Sequence, residues 1–208
     1  MSEYYMFHKP AGCITANRDD KYPVVMDYFR SLQNPRLMPV GRLDFDTEGL
    51  LFVIFVGKWG NRLMSPEHHV PKKYFFWAYG ELTEEAMDRM RNGVPLKGRK
   101  EKTLPAQIEK QKVGVYKDLP AYAARGKRYE MLRRNPNNDV ITAGYITITE
   151  GKKRQVKRML KAVGCYVIYL KRLAIGDVWL DERLKPGEYR KLTEEEMNRP
   201  LVGIVSSY

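Results

Sequence analysis

Metal-binding and cross-linking residues are scarce in this chain. Cys13 and Cys165 are the only cysteines among 208 residues, and they lack the close spacing of a zinc site or a disulfide framework. His8 stands alone, while His68 and His69 are adjacent and would point apart on a strand or helix. No metal site is expected from them. Long apolar runs are missing as well: none reaches the roughly 18 residues of a membrane span. The first residues lack the basic-then-apolar pattern of a signal peptide. These absences point to a reducing cytoplasm and away from a membrane. No linker rich in glycine, proline or serine, no repeat and no low-complexity tract breaks the chain. One catalytic-type domain over residues 1–208, with room for a division into two lobes, is the economical expectation. Acidic residues are the minority, 25 Asp and Glu against 37 Lys and Arg, for a net charge of +12. Such an excess favours a polyanionic partner through phosphate contact and counterion release. With no membrane anchor, nucleic acid fits better than lipid; a merely solvated basic surface is the plain alternative.

What is present reads as alternating strands and short helices. Tyr4 to His8 predicts a strand, ended by the turn sequence Lys9-Pro10-Ala11-Gly12, to which no chemistry is assigned. Val25, Tyr28, Phe29 and Leu32 have helical spacing, closed by Asn34-Pro35. Leu50 to Val56 is an apolar run expected to be a buried strand, and Gly57 to about Met64 a short helix. Lys73 to Tyr79 predicts an aromatic strand. Thr83 to Asn92 predicts a helix with Thr83 as cap and acids in its first turn. Two strands are expected around Gly98 between Leu96 and Lys112, then an excursion to Asn138 with one or two more. Ile141 to Glu150 alternates as a strand, Lys153 to Val163 as a helix, and Tyr166 to Leu170 as a strand. Short strands near Val178 and Tyr189 and a capping box from Thr193 to Glu196 complete the pattern. The class is α+β, with little βαβ rhythm.

Two stretches carry the chemistry. The first is Gly41-Arg42-Leu43-Asp44-Phe45-Asp46-Thr47-Glu48-Gly49-Leu50-Leu51. Its glycines permit tight turns, so the acids sit on a loop anchored to a buried strand, a common way to hold a reacting group still. A turn in which Asp44 or Asp46 caps backbone N–H groups is the structural alternative. The second is Glu150-Gly151-Lys152-Lys153-Arg154-Gln155-Val156-Lys157-Arg158-Met159. Lys153, Lys157 and Lys161 recur every four residues, with Arg154 and Arg158 alongside. A basic helix start opposes the helix dipole, so phosphate is the natural counterpart, against a simple solvated face.

Gly-Arg-Leu-Asp followed by Thr47-Glu48-Gly49-Leu50-Leu51 resembles the signature of bacterial RsuA/RluE-type pseudouridine synthases, which isomerise uridine in ribosomal RNA. Lys9-Pro10-Ala11-Gly12 resembles that family's first motif, and His69-Val70-Pro71-Lys72-Lys73-Tyr74 its tyrosine motif. Glu150 to Met159 resembles its basic helix. Leu170 to Gly176 and Leu184 to Arg190 resemble its C-terminal segments. The matches run in order across nearly the whole chain. Members often carry an S4-type RNA-binding module before the first motif; this chain starts almost at that motif, as RluE-type members do. A second departure is Ile54-Phe55-Val56, where the family usually has a polar turn.

The resemblance implies a pseudouridine synthase fold: a mainly antiparallel mixed sheet flanked by helices, with a central RNA-binding cleft. It implies that Asp44 is the nucleophile, that Tyr74 packs on the target uracil, and that Lys157 is the cation paired with the aspartate. Arg42 would hold the extruded nucleotide, and Lys152, Lys153, Arg154, Gln155 and Arg158 would bind RNA. It requires no metal or cofactor. The expected partner is 23S or 16S ribosomal RNA, free or in an assembly particle, met by a monomer. Two other readings compete: a non-catalytic RNA-binding or assembly factor on the same fold, and an RNA glycosidase using Asp44 with Asp46 or Glu48, which needs two functional acids.

Overall fold

The computed structural model describes residues 3–55, 69–132 and 139–199. In chain order these form β1 (Tyr4–Lys9), a 3-10 helix (Val25–Leu32), β2 (Leu37–Val40), β3 (Glu48–Phe55), β4 (Lys72–Tyr79), α1 (Glu84–Arg91) and β5 (Gln107–Val115). A 3-10 turn (Tyr116–Asp118), α2 (Lys127–Leu132), β6 (Val140–Ile148), α3 (Gln155–Ala162) and β7 (Tyr166–Ile175) follow. The chain closes with β8 (Val178–Trp179), β9 (Tyr189–Lys191) and α4 (Glu194–Asn198). The α+β class is as expected, and the pairings are mixed: β1 and β3 run antiparallel, β3 and β7 parallel. Among the described residues no helix is long and apolar enough to cross a membrane.

Two compact units divide the chain: residues 1–72 with 171–208, and residues 73–170. In the first, β3 is the central strand. It pairs with β1 on one edge, from Tyr4 opposite Ile54 to Lys9 opposite Gly49. On the other edge it pairs with β2 and, at Glu48 and Gly49, with Lys171 and Arg172 of β7. A strand enclosed on both edges and both faces reads as an unbroken apolar run rather than an alternating one. Every residue from Glu48 to Ile54 is indeed buried. Leu50, Phe52 and Ile54 join Met6, Val70, Ile175 and Val178 in one core, each such side chain contributing about 1.5–3 kcal/mol by leaving water. The apolar Ile54, out of pattern for the family's polar turn, is thus a core residue of a strand that runs on to Phe55. β9 closes the far side of β1. Arg190 binds it to α4 by donating Nε to Asp181 at 2.8 Å and both Nη groups to Glu196 at 2.7 and 2.8 Å.

In the second unit β5 pairs antiparallel with β6, and β4 lies between β6 and the first half of β7. One face of β4 carries Phe75, Trp77 and Tyr79. These pack with Ile141, Ala143, Ile168 and the aromatic residues of the segment after β5, Tyr116 and Tyr129. Strand alternation sends Tyr74 and Phe76 to the other face. As expected, Thr83 caps α1, its hydroxyl accepting from the Ala86 N–H at 3.1 Å.

Several expected elements changed. Val25–Leu32 is a 3-10 helix rather than an α-helix. The Asp27 carboxylate turns back onto the Val24 N–H at 2.9 Å, and Gln33 enters the left-handed region just before Pro35. A short run closed so tightly at both ends favours the i→i+3 pattern. The two strands expected around Gly98 reduce to one, β5, preceded by a lone bridge between Pro95 and Lys102; Pro105 has no N–H to give to a ladder. In the excursion after Val113, β5 runs on to Val115, and the described residues beyond it, 116–132, are turn and helix rather than further strand: Pro120 starts a turn whose carbonyl accepts from Ala123 and Ala124, and α2 follows. Helix α3 begins at Gln155 rather than Lys153 because Arg154 sits at φ 53°. The helix expected over 57–64 lies outside the described residues.

Gly49 sits at φ +111°, and a Cβ there would stand 2.2 Å from the Arg172 carbonyl oxygen. Gly49→Ala is therefore expected to cost at least about 1–3 kcal/mol in urea unfolding, from backbone strain alone and more from the clash. An unchanged midpoint would show that the β3–β7 approach tolerates a side chain.

Candidate active site

Asp44 lies on the loop joining β2 to β3, and that loop is held from one side by the segment after β1. Lys9 is fully buried at the end of β1. Its ammonium donates to the carbonyls of Pro10 at 2.9 Å, Asp44 at 3.1 Å and Thr47 at 3.0 Å. An ammonium has three hydrogens, and here each meets an acceptor. Gly12 N–H donates to the Phe45 carbonyl at 2.8 Å. The Thr15 hydroxyl donates to the Leu43 carbonyl at 3.0 Å and accepts from the Leu43 N–H at 3.1 Å. The loop closes on itself where Thr47 N–H meets the Asp44 carbonyl at 3.1 Å. Leu43, Asp44, Phe45 and Thr47 are thus each tied through the main chain, while the Asp44 side chain is half-buried at the surface.

Burial pushes the Lys9 ammonium down to about 8, a shift partly offset by the Cys13 thiol and by the carboxylates of Asp46, Asp44 and Glu48. A buried cation is tolerated when it is fully hydrogen-bonded and sits in a negative field. The three acids of the loop separate by position. Asp46 is exposed, Glu48 is buried in β3 in register with Lys171, and only Asp44 combines a held backbone with a half-exposed carboxylate. Arg42, two residues before, is exposed on the same loop. A carboxylate fixed in this way is suited to act as nucleophile or base.

The second unit carries the other expected residues. Tyr74 is buried in β4, on the face it shares with Phe76. At the start of α3, Lys153 and Arg154 are exposed, while Lys152, Lys157 and Arg158 are half-buried. Glu150 organises this turn. It accepts from the Leu104 N–H at 2.9 Å and from the Gln155 amide at 2.5 Å, and it pairs with the Lys152 ammonium. Gln155 is buried, and its carbonyl also accepts from the Lys152 N–H at 2.9 Å. Its amide therefore holds the helix start in place through partners within the protein. Arg158 reaches the Lys97 carbonyl at 2.6 Å. Lys153 and Arg154 are left as the most open cations of the motif. Among the described residues no cluster of His, Cys, Asp and Glu is able to hold a metal.

Two positioning residues escaped the sequence reading, Lys9 and Glu150. A lysine ending an apolar strand was a visible oddity. Its three acceptors come from separate points in the chain, and no local pattern announces that convergence.

A family described as RNA pseudouridylate synthase matches residues 3–162. The chain is 40% identical over 200 residues to an uncharacterised RNA pseudouridine synthase, YtzG, of Bacillus subtilis, covering 94% of this chain and 72% of that protein. It is 36% identical over 197 residues to the ribosomal small subunit pseudouridine synthase A of Haemophilus influenzae, covering 95% and 73%. A crystal structure of a pseudouridylate synthase superposes with a TM-score of 0.77 at 35% identity, over 97% of this chain and 74% of that one.

Lys9→Met keeps the stem and removes the ammonium, taking one donor from each of three carbonyls. A loss of about 2–3 kcal/mol is expected in urea unfolding. Amide exchange over Gly41 to Thr47 should quicken while β6 stays protected. Wild-type stability and exchange in this variant would show that the loop is held by something else.

Proposed function

The chain belongs to the RNA pseudouridylate synthase family, and from that premise we propose that Asp44 is the nucleophile with which it isomerises a uridine of ribosomal RNA to pseudouridine. The observation that carries the assignment is the loop itself, in which Asp44 alone of three acids pairs a fixed main chain with a half-exposed carboxylate. The reaction breaks the C1′–N1 bond, turns the uracil and rejoins it to the sugar through C5. An ionised carboxylate serves by attacking either the sugar or the base, and its rigid loop limits the freedom lost on reaching the transition state. A uridine inside folded RNA must leave its stack before any side chain reaches it. Tyr74 offers an aromatic ring for the displaced base, Arg42 a cation for the nucleotide, and Lys157 a positive charge that favours the ionised aspartate. Lys153 and Arg154 supply phosphate contacts.

The curated relatives named for the small ribosomal subunit make its RNA the substrate of choice for a first assay. Action as a monomer in the cytoplasm, where ribosomal RNA is found, completes the proposal. The rival reading, a non-catalytic factor on the same fold, predicts binding without chemistry.

Asp44→Asn is expected to lower tritium release from uracil-5-labelled ribosomal RNA by at least about 10³-fold while binding persists. If wild type binds that RNA and releases no tritium from either ribosomal subunit, the non-catalytic reading replaces this one.

A further inference from the structure

Beside Asp44 lies a surface that the reaction itself leaves unexplained. Phe45, the next residue, is 44% exposed, and so is Tyr22 from the loop before the 3-10 helix. Their rings meet edge to face, with centroids 5.7 Å apart and planes at 66°. The Lys21 ammonium lies 5.3 Å from the centre of the Tyr22 ring. Large apolar rings left this open to water, side by side, favour a partner with a flat face.

Both rings stand on held backbone. The Phe45 carbonyl accepts from Gly12, and the Asp19 carboxylate accepts from the N–H groups of Lys21 and Tyr22, each at 2.8 Å. Ile14 N–H meets the Pro23 carbonyl at 2.9 Å, and Val25 N–H meets the Ile14 carbonyl at 2.9 Å. Of the acids nearby, Asp19 caps this turn, while Asp20, 3.8 Å from Arg18, and Asp46 are exposed. Two rings with a cation beside one of them, on fixed main chain, have the make-up of a stacking platform for unpaired RNA.

We propose that Tyr22 and Phe45 form a subsite that stacks an unpaired base flanking the target uridine, with Lys21 attracting the adjoining phosphate. This rests on the assignment of Asp44 as nucleophile. Successive side chains of a loop diverge, so a base on Phe45 belongs to a neighbour of the nucleotide that Asp44 attacks. The pair then helps select the sequence or loop in which a uridine is modified, because stacking requires that neighbour to be unpaired.

Kinetics on uracil-5-tritiated small-subunit ribosomal RNA test the subsite. Tyr22→Ala and Phe45→Ala are each expected to raise KM by about 5- to 100-fold, the range for losing one base–aromatic stack. The conservative Tyr22→Phe and Phe45→Tyr variants should restore it, with kcat within about 2-fold of wild type throughout. A fall in kcat at unchanged KM would make the pair a brace for the Asp44 loop and overturn the proposal, as would no change in either constant. Ultraviolet cross-linking of the Asp44→Asn protein to the same RNA reads the site without turnover. A base adduct on a peptide holding Tyr22 or Phe45 supports the subsite, and adducts confined to other peptides overturn it. Absence of tritium release from wild type would strike the nucleophile assignment instead, leaving the cross-link to decide the subsite.

Discussion

A single buried ammonium underlies the arrangement of the first unit. Lys9 carries its charge to the end of a largely buried strand and there meets the carbonyls of Pro10, Asp44 and Thr47. Burial disfavours that charge strongly enough to bring its pKa to about 8, so the carbonyls and the surrounding carboxylates are what make the charged form tolerable. The same bonds work in the other direction. They turn a glycine-flanked, acid-rich loop into one of defined shape, which holds the main chain of Asp44 in place.

The second unit handles charge differently. Its basic motif divides into inward and outward members around Glu150. Lys152 and Gln155 turn inward to that carboxylate, while Lys153 and Arg154 remain open to solvent. Placing a carboxylate just before a helix start also offsets the unfavourable lysines and arginines there. A row in which the resemblance implies five RNA-binding residues thus contains an internal brace and two exposed cations. The net charge of +12 thus includes a lysine already paired with a carboxylate of the same motif.

Departures from the sequence reading have local causes of one kind. Prolines and left-handed residues redirected the chain where hydrophobic spacing alone suggested continuity. Arg154 at φ 53° moved the start of α3, Gln33 and Pro35 closed the 3-10 helix, and Pro105 and Pro120 cleared strands from the segments around them. Periodicity registers which face is apolar, and it is blind to whether eight residues wind with i→i+3 or i→i+4 bonds. The apolar run from Leu50 was read correctly as a buried strand, yet β3 starts earlier, at Glu48. A buried glutamate in register with Lys171 is a tertiary fact.

The strand at the centre of the first unit, the capped helices and the family membership were legible from residue order. Each depends on near neighbours or on motifs whose spacing is preserved along the chain. Asp44 was likewise singled out by motif, in company with Tyr74 and Lys157. Residue order was silent on how differently Asp44, Asp46 and Glu48 are exposed. It was also silent on the work of Lys9, Thr15 and Glu150, and on the pairing of Tyr22 with Phe45. Each of these rests on groups far apart in the chain that meet only once the strands are in register. Hydrogen bonds of this sort act over about 3 Å, a distance that only the folded backbone sets.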